Sequence, residues 1–192
     1  MTNIAGILLA GGSSQRFGSN KLVALIEDGV PVGQRSAERL KAALGNVLVV
    51  VPVGNVATLG VFEGVFEVSV CADSRDGIGR SIAHGIAARP DADGWLIGLA
   101  DMPYIQVETI AALASTLISE LTIVRPRLFG RVGHPVGFGA AYGVELKNLQ
   151  GDQGAQSIVD SHSDSLVLID TNDSGVVLDI DRPQDLRRKK NH

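Results

Sequence analysis

The stretch Ile4-Ala5-Gly6-Ile7-Leu8-Leu9-Ala10-Gly11-Gly12-Ser13-Ser14-Gln15-Arg16-Phe17-Gly18-Ser19-Asn20-Lys21 decides the fold. Its first seven residues carry no polar face, the pattern of a strand covered on both sides, and such strands belong to parallel sheets. The strand then runs into glycines, serines, an arginine and a lysine. A structural loop needs one glycine and something polar, whereas this one is composed to receive an anion. Glycines let the backbone approach a phosphate, successive N–H groups form an anion-binding concavity, and Arg16 and Lys21 add charge. The loop is not a Walker A motif: Gly12 and Gly18 stand one residue too far apart and no Lys follows Gly18. The dinucleotide pattern G-x-G-x-x-G is also missing. A strand-to-helix turn with incidental charges is the plainer reading, and Gly-Gly-Ser-Ser with both cations tips the balance towards phosphate.

Outward from this stretch, apolar runs rich in β-branched residues recur at Val47–Val51, Val65–Cys71 and Trp95–Ala100. Helical spacing separates them. Ala37, Leu40 and Leu44 fall at i, i+3 and i+7, and Val107, Ile110, Leu113, Leu117 and Leu121 trace a similar stripe. Alternating strands and helices predict an α/β fold, a Rossmann-like three-layer sandwich with a mostly parallel sheet. The second half reads differently. Leu121–Leu128 and Gly133–Phe138 look like strands joined at Phe129-Gly130-Arg131, Val167–Ile169 and Val176–Leu178 follow, and one clear helix spans roughly Ala155–Asp160. Added strands, some antiparallel, are expected there. With no repeat or linker, residues 1–192 are expected to form one domain.

Composition narrows the function. The net charge of −4 gives no general reason to bind nucleic acid. The one basic cluster, Arg187-Arg188-Lys189-Lys190, reads as a solvated tail. A single cysteine, Cys71, allows no internal disulfide and no cysteine zinc site, and packs best in the core. The first apolar run is too short for a signal peptide or a membrane span. A soluble cytoplasmic protein without membrane contact is the expectation.

In a doubly wound sheet, ligands bind where loops leave the carboxyl ends of the strands. Gly11–Asn20 follows the first strand, Asp73–Gly79 the third and Asp101-Met102-Pro103 the fourth, so three distant loops are expected to share one rim. Asp101 ends a buried strand. It can cap the next turn, or hold Mg²⁺ against a triphosphate, since that ion takes carboxylates plus phosphate oxygens. Asp179-Ile180-Asp181 sends two carboxylates to one side of an extended stretch before a helix expected to begin at Pro183. One of the pair suits the metal, and the other suits capping. His84 and His162 fall outside the expected rim and give no catalytic signal.

Taken together, Leu8 to Leu22 resembles the signature L-A-x-G-x-S-x-R-x-G-x-x-K-L of nucleotidyltransferases with a mononucleotide-binding α/β fold, the fold of nucleotide-diphospho-sugar transferases. Leu99-Ala100-Asp101-Met102-Pro103 is similar to their metal-binding segment. Gly133-His134-Pro135-Val136, Gly151-Asp152-Gln153-Gly154-Ala155 and Asp179–Leu186 resemble the MobA/MocA-like branch, specifically molybdenum cofactor cytidylyltransferases. The matches run in order from residue 8 to 186. The resemblance implies that the terminal phosphate of molybdopterin attacks the α-phosphorus of CTP or GTP and releases pyrophosphate. It implies that Leu9, Ala10, Gly11, Gly12 and Ser13 cradle the triphosphate while Arg16 and Lys21 neutralise it. Asp101 would hold Mg²⁺, with Asp179 or Asp181 as a weaker ligand. Asp73, Gly77, Gly79 and Ser81 would surround base and ribose. His134 would orient the pterin phosphate or shape its turn, and Asp152 would meet the pterin or cap the following helix. A molybdoenzyme or its chaperone would receive the product.

Three departures bear on the base. Cytidylyl-transferring members often carry Ala where Gly11 stands, Asn where Cys71 stands and Arg where Gln156 stands, while Gly-Gly is more typical of guanylyl-transferring relatives. Gly-His-Pro and Gly-Ile-Gly-Arg-Ser favour the cytidylyl side. Two rivals stay open: transfer to a sugar phosphate or isoprenoid-type alcohol phosphate, and a non-catalytic module that delivers a nucleotide or pterin. Asp101 and Lys21 are the residues such a module would be expected to lose.

Overall fold

Strand β1 (Ile4–Leu9) splits its side chains between two cores: Ile4 and Leu8 enter one, and Ala5, Ile7 and Leu9 the other. Strand β2 (Val47–Pro52) repeats the division, with Val47, Val49 and Val51 against Leu48 and Val50. A strand that must fill two cores has no polar face to spare, which is why both runs read as continuously apolar. A computed structural model of the chain describes residues 3–11 and 17–187. Gly12, Ser13 and Arg16, and residues 188–190 of the basic cluster, lie outside the described residues.

The remaining strands are β3 (Glu67–Cys71), β4 (Gly94–Leu99), β5 (Ile123–Leu128), β6 (Arg131–Val132), β7 (Val136–Gly139) and β8 (Leu166–Asp170). Among the described residues the sheet has eight strands, in the order β3-β2-β1-β4-β7-β5-β6, with β8 paired to β5. β1, β2, β3 and β4 are mutually parallel where they pair, and so are β5 and β8. β7 runs antiparallel between β4 and β5. One core takes side chains from helices α1 (Val32–Leu44), α2 (Val56–Phe62) and α4 (Val107–Thr116). The other takes them from α3 (Ile78–Ala87), α5 (Gly143–Lys147) and α6 (Gln156–Ser161). This is the expected three-layer arrangement.

Several expected elements are shorter or different. The stripe from Val107 to Leu121 holds only to Thr116, because the Ser115 and Thr116 hydroxyls both donate to the Ala112 carbonyl and compete with the helix ladder. Leu121 is then 59% exposed, and β5 begins at Ile123. The expected strand Gly133–Phe138 begins only at Val136 (β7), since Gly133 N–H turns to the Pro126 carbonyl and His134 N–H to the Val176 carbonyl, and the short β6 starts at Arg131, inside the expected turn. Val176–Leu178 is not a strand. Asp173 accepts from Gly175 N–H and sets a 3₁₀ turn over Ser174–Val177 that buries Val176 completely. α5 has five residues, too short to show a period in sequence. The segment from Pro183 is 3₁₀ rather than α. The third strand starts at Glu67, after a turn at Gly64 (φ 79°).

Candidate functional site

The loops after β1, β3 and β4 all leave the carboxyl ends of parallel strands, so they meet on one rim as expected. Ala10 N–H donates to the Val50 carbonyl and Ala100 N–H to the Leu9 carbonyl, which carries the sheet to the base of the first loop. Leu9 and Ala10 are buried, and Gly11 is exposed beyond them.

Lys21 is placed by its neighbour. Asn20 caps the 3₁₀ turn Lys21–Val23 by accepting from Leu22 N–H, and its amide donates to Asn55 Oδ1 (3.3 Å) and Thr58 Oγ1 (2.7 Å). The lysine side chain then reaches the rim. Its Nζ stands 2.6 Å from Asp101 Oδ2 and 3.2 Å from Asp181 Oδ1. Burial works against this charge, but the two carboxylates outweigh it and hold the ammonium pKa above its ordinary value. Sequence reading put Asp101 at a metal with Asp179 or Asp181 beside it, and Lys21 on the triphosphate. The structure brings them together.

The Asp101 carboxylate keeps an oxygen in reserve, for Oδ1 is buried and has no hydrogen-bond partner. Its main-chain carbonyl accepts from Ile180 N–H, which lays the 179–181 segment beside it. Ile180 is buried, so Asp179 and Asp181 both turn outward. Asp185, three to four residues on, caps this segment by accepting from Asp181 N–H and Arg182 N–H, while the Asp181 carboxylate reaches Lys21. The capping role expected for Asp181 or a neighbour therefore falls to Asp185. Asp173 does similar work across the rim: it accepts from Gln106 N–H (2.7 Å) and ties the loop after β4 to the 173–175 turn. Neither Asp185 nor Asp173 stood out in sequence, because their signal is a backbone N–H nearby in space.

A hard divalent cation takes one or two carboxylates together with phosphate oxygens. Asp101, with its unpartnered oxygen, and Asp181 fit that demand. Among the described residues no group of three or more potential ligands could hold a metal unaided.

On the other side of the rim, Gly79 N–H donates to the Gly151 carbonyl (3.0 Å), and a Cβ on Gly77 (φ 109°) would lie 2.2 Å from that carbonyl. The loop containing Asp152 thus sits on the start of α3. Asp152 itself is exposed and does not cap α6, whose N-cap is Ala155 without a side-chain bond. Ser81 is buried beside Cys71, and Asp73 is exposed. His84 bonds to Ser69 (2.7 Å) and His162 to Glu145 (3.0 Å), both away from the charged rim.

His134 follows Gly133 at the level where β7 passes β4. Burial, then the neighbouring Arg125 charge, lowers its pKa to about 4 against a smaller opposing pull from Asp179. Its Nδ1 is buried without a hydrogen-bond partner. Arg125, on β5, escaped the sequence reading altogether. It donates from Nε to the Gly133 carbonyl (3.2 Å) and from Nη1 to Gln156 Oε1 (2.7 Å).

With phosphate-suited loops, paired carboxylates and an ammonium on one rim, comparison with known proteins is decisive. Residues 6–166 match the model of the MobA-like NTP transferase domain. The chain belongs to that family. As a MobA-like NTP transferase it is a nucleotidyltransferase-like enzyme whose family binds nucleoside triphosphates. It is 30% identical to purine catabolism protein PucB of Bacillus subtilis (strain 168), over 95% of this chain and 93% of the relative. Rv0371c of Mycobacterium tuberculosis H37Rv superposes with a TM-score of 0.81 at 26% identity, covering 97% and 96% of the two chains. A second Rv0371c structure, a complex with manganese, gives 0.77 at 25% identity and covers 97% of each. A nucleotidyl transferase from Methanothermobacter thermautotroptrophicus shares the fold, with a TM-score of 0.81 at 17% identity over 96% and 94%. Among the described residues no helix is long and apolar enough to cross a membrane.

Proposed function

We propose that this MobA-like transferase joins CMP from CTP to the terminal phosphate of a molybdopterin-type acceptor and releases pyrophosphate. One observation carries the reading: Lys21 bridges Asp101 and Asp181 at the carboxyl ends of the strands, so that cation and carboxylates face one reaction space. A phosphate oxygen of the acceptor attacks the α-phosphorus, the bond to the β-phosphate breaks, and pyrophosphate leaves with the electron pair. The nucleophile is already an anion, so positioning and charge neutralisation replace acid–base chemistry. Lys21 donates to the triphosphate. Gly11, Gly12, Ser13 and Arg16 complete its cradle, and Asp73, Gly77, Gly79 and Ser81 border the base. Asp101 and Asp181 hold Mg²⁺, which neutralises phosphate oxygens; the manganese complex of Rv0371c supports a divalent ion. Asp179, whose charge reaches His134, is assigned to the acceptor side together with Asp152. The likeness to PucB supports a recipient molybdoenzyme in purine breakdown.

The Gly11-Gly12 pair favours a second reading, guanylyl transfer from GTP to the same acceptor. Pyrophosphate release with Mg²⁺ and molybdopterin, with CTP and GTP tested separately, decides between them. Release with CTP alone is the expected result, and release with GTP alone overturns the choice of base. Silence with both nucleotides, from protein that still binds them, moves the chain to a sugar or alcohol phosphate acceptor or to a delivery role.

A further inference from the structure

Arg125 differs from the ion-paired arginines described in this chain. Arg127, two residues on, pairs with Asp170 at 2.7 and 2.9 Å, Arg89 pairs with Glu67, and Arg35 with Asp28 and Glu38. Arg125 makes no ion pair with a carboxylate among the described residues. Its two recorded acceptors are neutral, and Gln156 is itself drawn towards Asp160 (2.7 Å). Burial lowers its pKa, and the more distant Asp160 offsets this only in part. A guanidinium carries five N–H donors in a planar fork, so Arg125 keeps donors in hand. Beside it stands His134, with a buried ring nitrogen that has no partner.

Desolvating a charge without a counter-charge is costly, and a fork of donors matches phosphate oxygens. Position separates this cluster from the nucleotide cradle. Neighbouring strands lie about 4.8 Å apart, so β5, two places beyond β4 and three beyond β1, is displaced by roughly 10 Å from the strand of Asp101 and roughly 14 Å from the strand of the glycine loop. In-line displacement sets the attacking and leaving oxygens on opposite sides of the α-phosphorus. The glycine loop stands on one side of Asp101 and Arg125 on the other.

We propose that Arg125 and His134, braced by Gln156 and the Gly133 carbonyl, form an oxyanion pocket that takes the terminal phosphate monoester of the acceptor. The assignment rests on the nucleotidyl-transfer reading above and names the residues that fix the attacking group. Arg125 supplies the fork. His134, kept neutral, supplies a ring N–H that donates to a phosphate oxygen without adding a second desolvated cation.

Two measurements on the full chain test it. In the first, inorganic phosphate is titrated while the Arg125 Nε–Hε resonance is followed by NMR, the signal being assigned by its loss in Arg125→Gln. A saturable shift with phosphate, absent when nucleoside triphosphate alone is added, is expected. A resonance that ignores phosphate, or moves only with nucleotide, overturns the pocket. In the second, steady-state kinetics with molybdopterin should show the acceptor KM of Arg125→Gln raised about tenfold or more, with the nucleotide KM changed less than twofold. Arg125→Lys, which keeps the charge without the fork, should fall between. An unchanged acceptor KM, or equal rises in both KM values, overturns the assignment. If the wild type transfers no nucleotide to molybdopterin, the proposed reaction fails while the phosphate titration still decides the pocket.

Discussion

Lys21 and Arg125 are both partly buried cations on one rim, and the protein treats them in opposite ways. Lys21 is held between two carboxylates that raise its pKa. Arg125 is given a carbonyl and an amide, and burial lowers its pKa. The difference teaches how charge is divided along the rim. In the parallel half around β1 and β4 the cation is ion-paired within the fold, to Asp101 and Asp181. In the half around β5 and β7, Arg125 has only neutral acceptors among the described residues, and the proposed acceptor phosphate would supply its counter-charge.

The sharpest way to break the comparison is Asp101→Asn, which removes one carboxylate from the balanced side. Pyrophosphate release should fall by about 10²–10³-fold, the usual loss for one electrostatic contact to a reacting centre. Near-normal turnover in a steady-state assay would take Asp101 out of the reaction space. Next comes acid. His134 titrates at about 4 in the folded chain against 6.5 as its ordinary value, so between these the unfolded chain binds more protons. Stability should therefore decline as pH falls from about 6.5 towards 4 and level off below, by about 3 kcal/mol at most from this group. Urea unfolding across that range should show the decline, and His134→Gln should flatten part of it. An identical slope in the variant would mean that the histidine is not desolvated.

Lys21→Met sharpens the comparison from the other side. Nucleotide binding should weaken by about 1.5–3 kcal/mol, the worth of a charged hydrogen bond. Mn²⁺ added without nucleotide should bind more tightly than to wild type, because the ammonium no longer occupies the space between the carboxylates. Electron paramagnetic resonance reads the free ion, and an unchanged affinity would show that lysine and metal do not compete. The smallest effect is expected at Gly98 on β4, the strand of the first region that borders the second. A Cβ there would meet Leu8 and Leu40 at ordinary contact distances of 3.5–4.0 Å. Gly98→Ala should stabilise the fold by about 0.4–1 kcal/mol in thermal melts by restricting the unfolded chain. A loss would mean that the strand has no room beside Leu40.

The same division explains what could be read in the sequence. Strands β1, β2 and β4 were legible because both of their faces are buried and their runs are uninterrupted. The second half was harder: Asp173, Gly133 and the Ser115-Thr116 pair redirect backbone hydrogen bonds locally, and hydrophobic period carries no trace of that. In the site, Lys21, Asp101 and Asp181 are charged residues in loops or at strand ends, where they stand out. Arg125 sits within Ile123-Val124-Arg125-Pro126-Arg127-Leu128, whose alternation reads as a strand with a solvated face. Only the pairing of β5 with β7 and β8 and the turn of Gly133 towards it reveal that Arg125 is partly desolvated while Arg127 is not.

The meeting of Gly77, Gly79 and Gly151 has a consequence for how this sequence can drift. A Cβ at Gly79 would lie 2.7 Å from the Gln153 carbonyl, and one at Gly77 2.2 Å from that of Gly151. Each clash is with backbone, so no neighbouring side chain can give way to relieve it. Gly77 and Gly79 are therefore closed to ordinary substitution by a segment more than seventy residues away. Change along this stretch has to be written around the junction, at exposed positions such as Asp73 and Gln156, and not in the glycines that hold it shut.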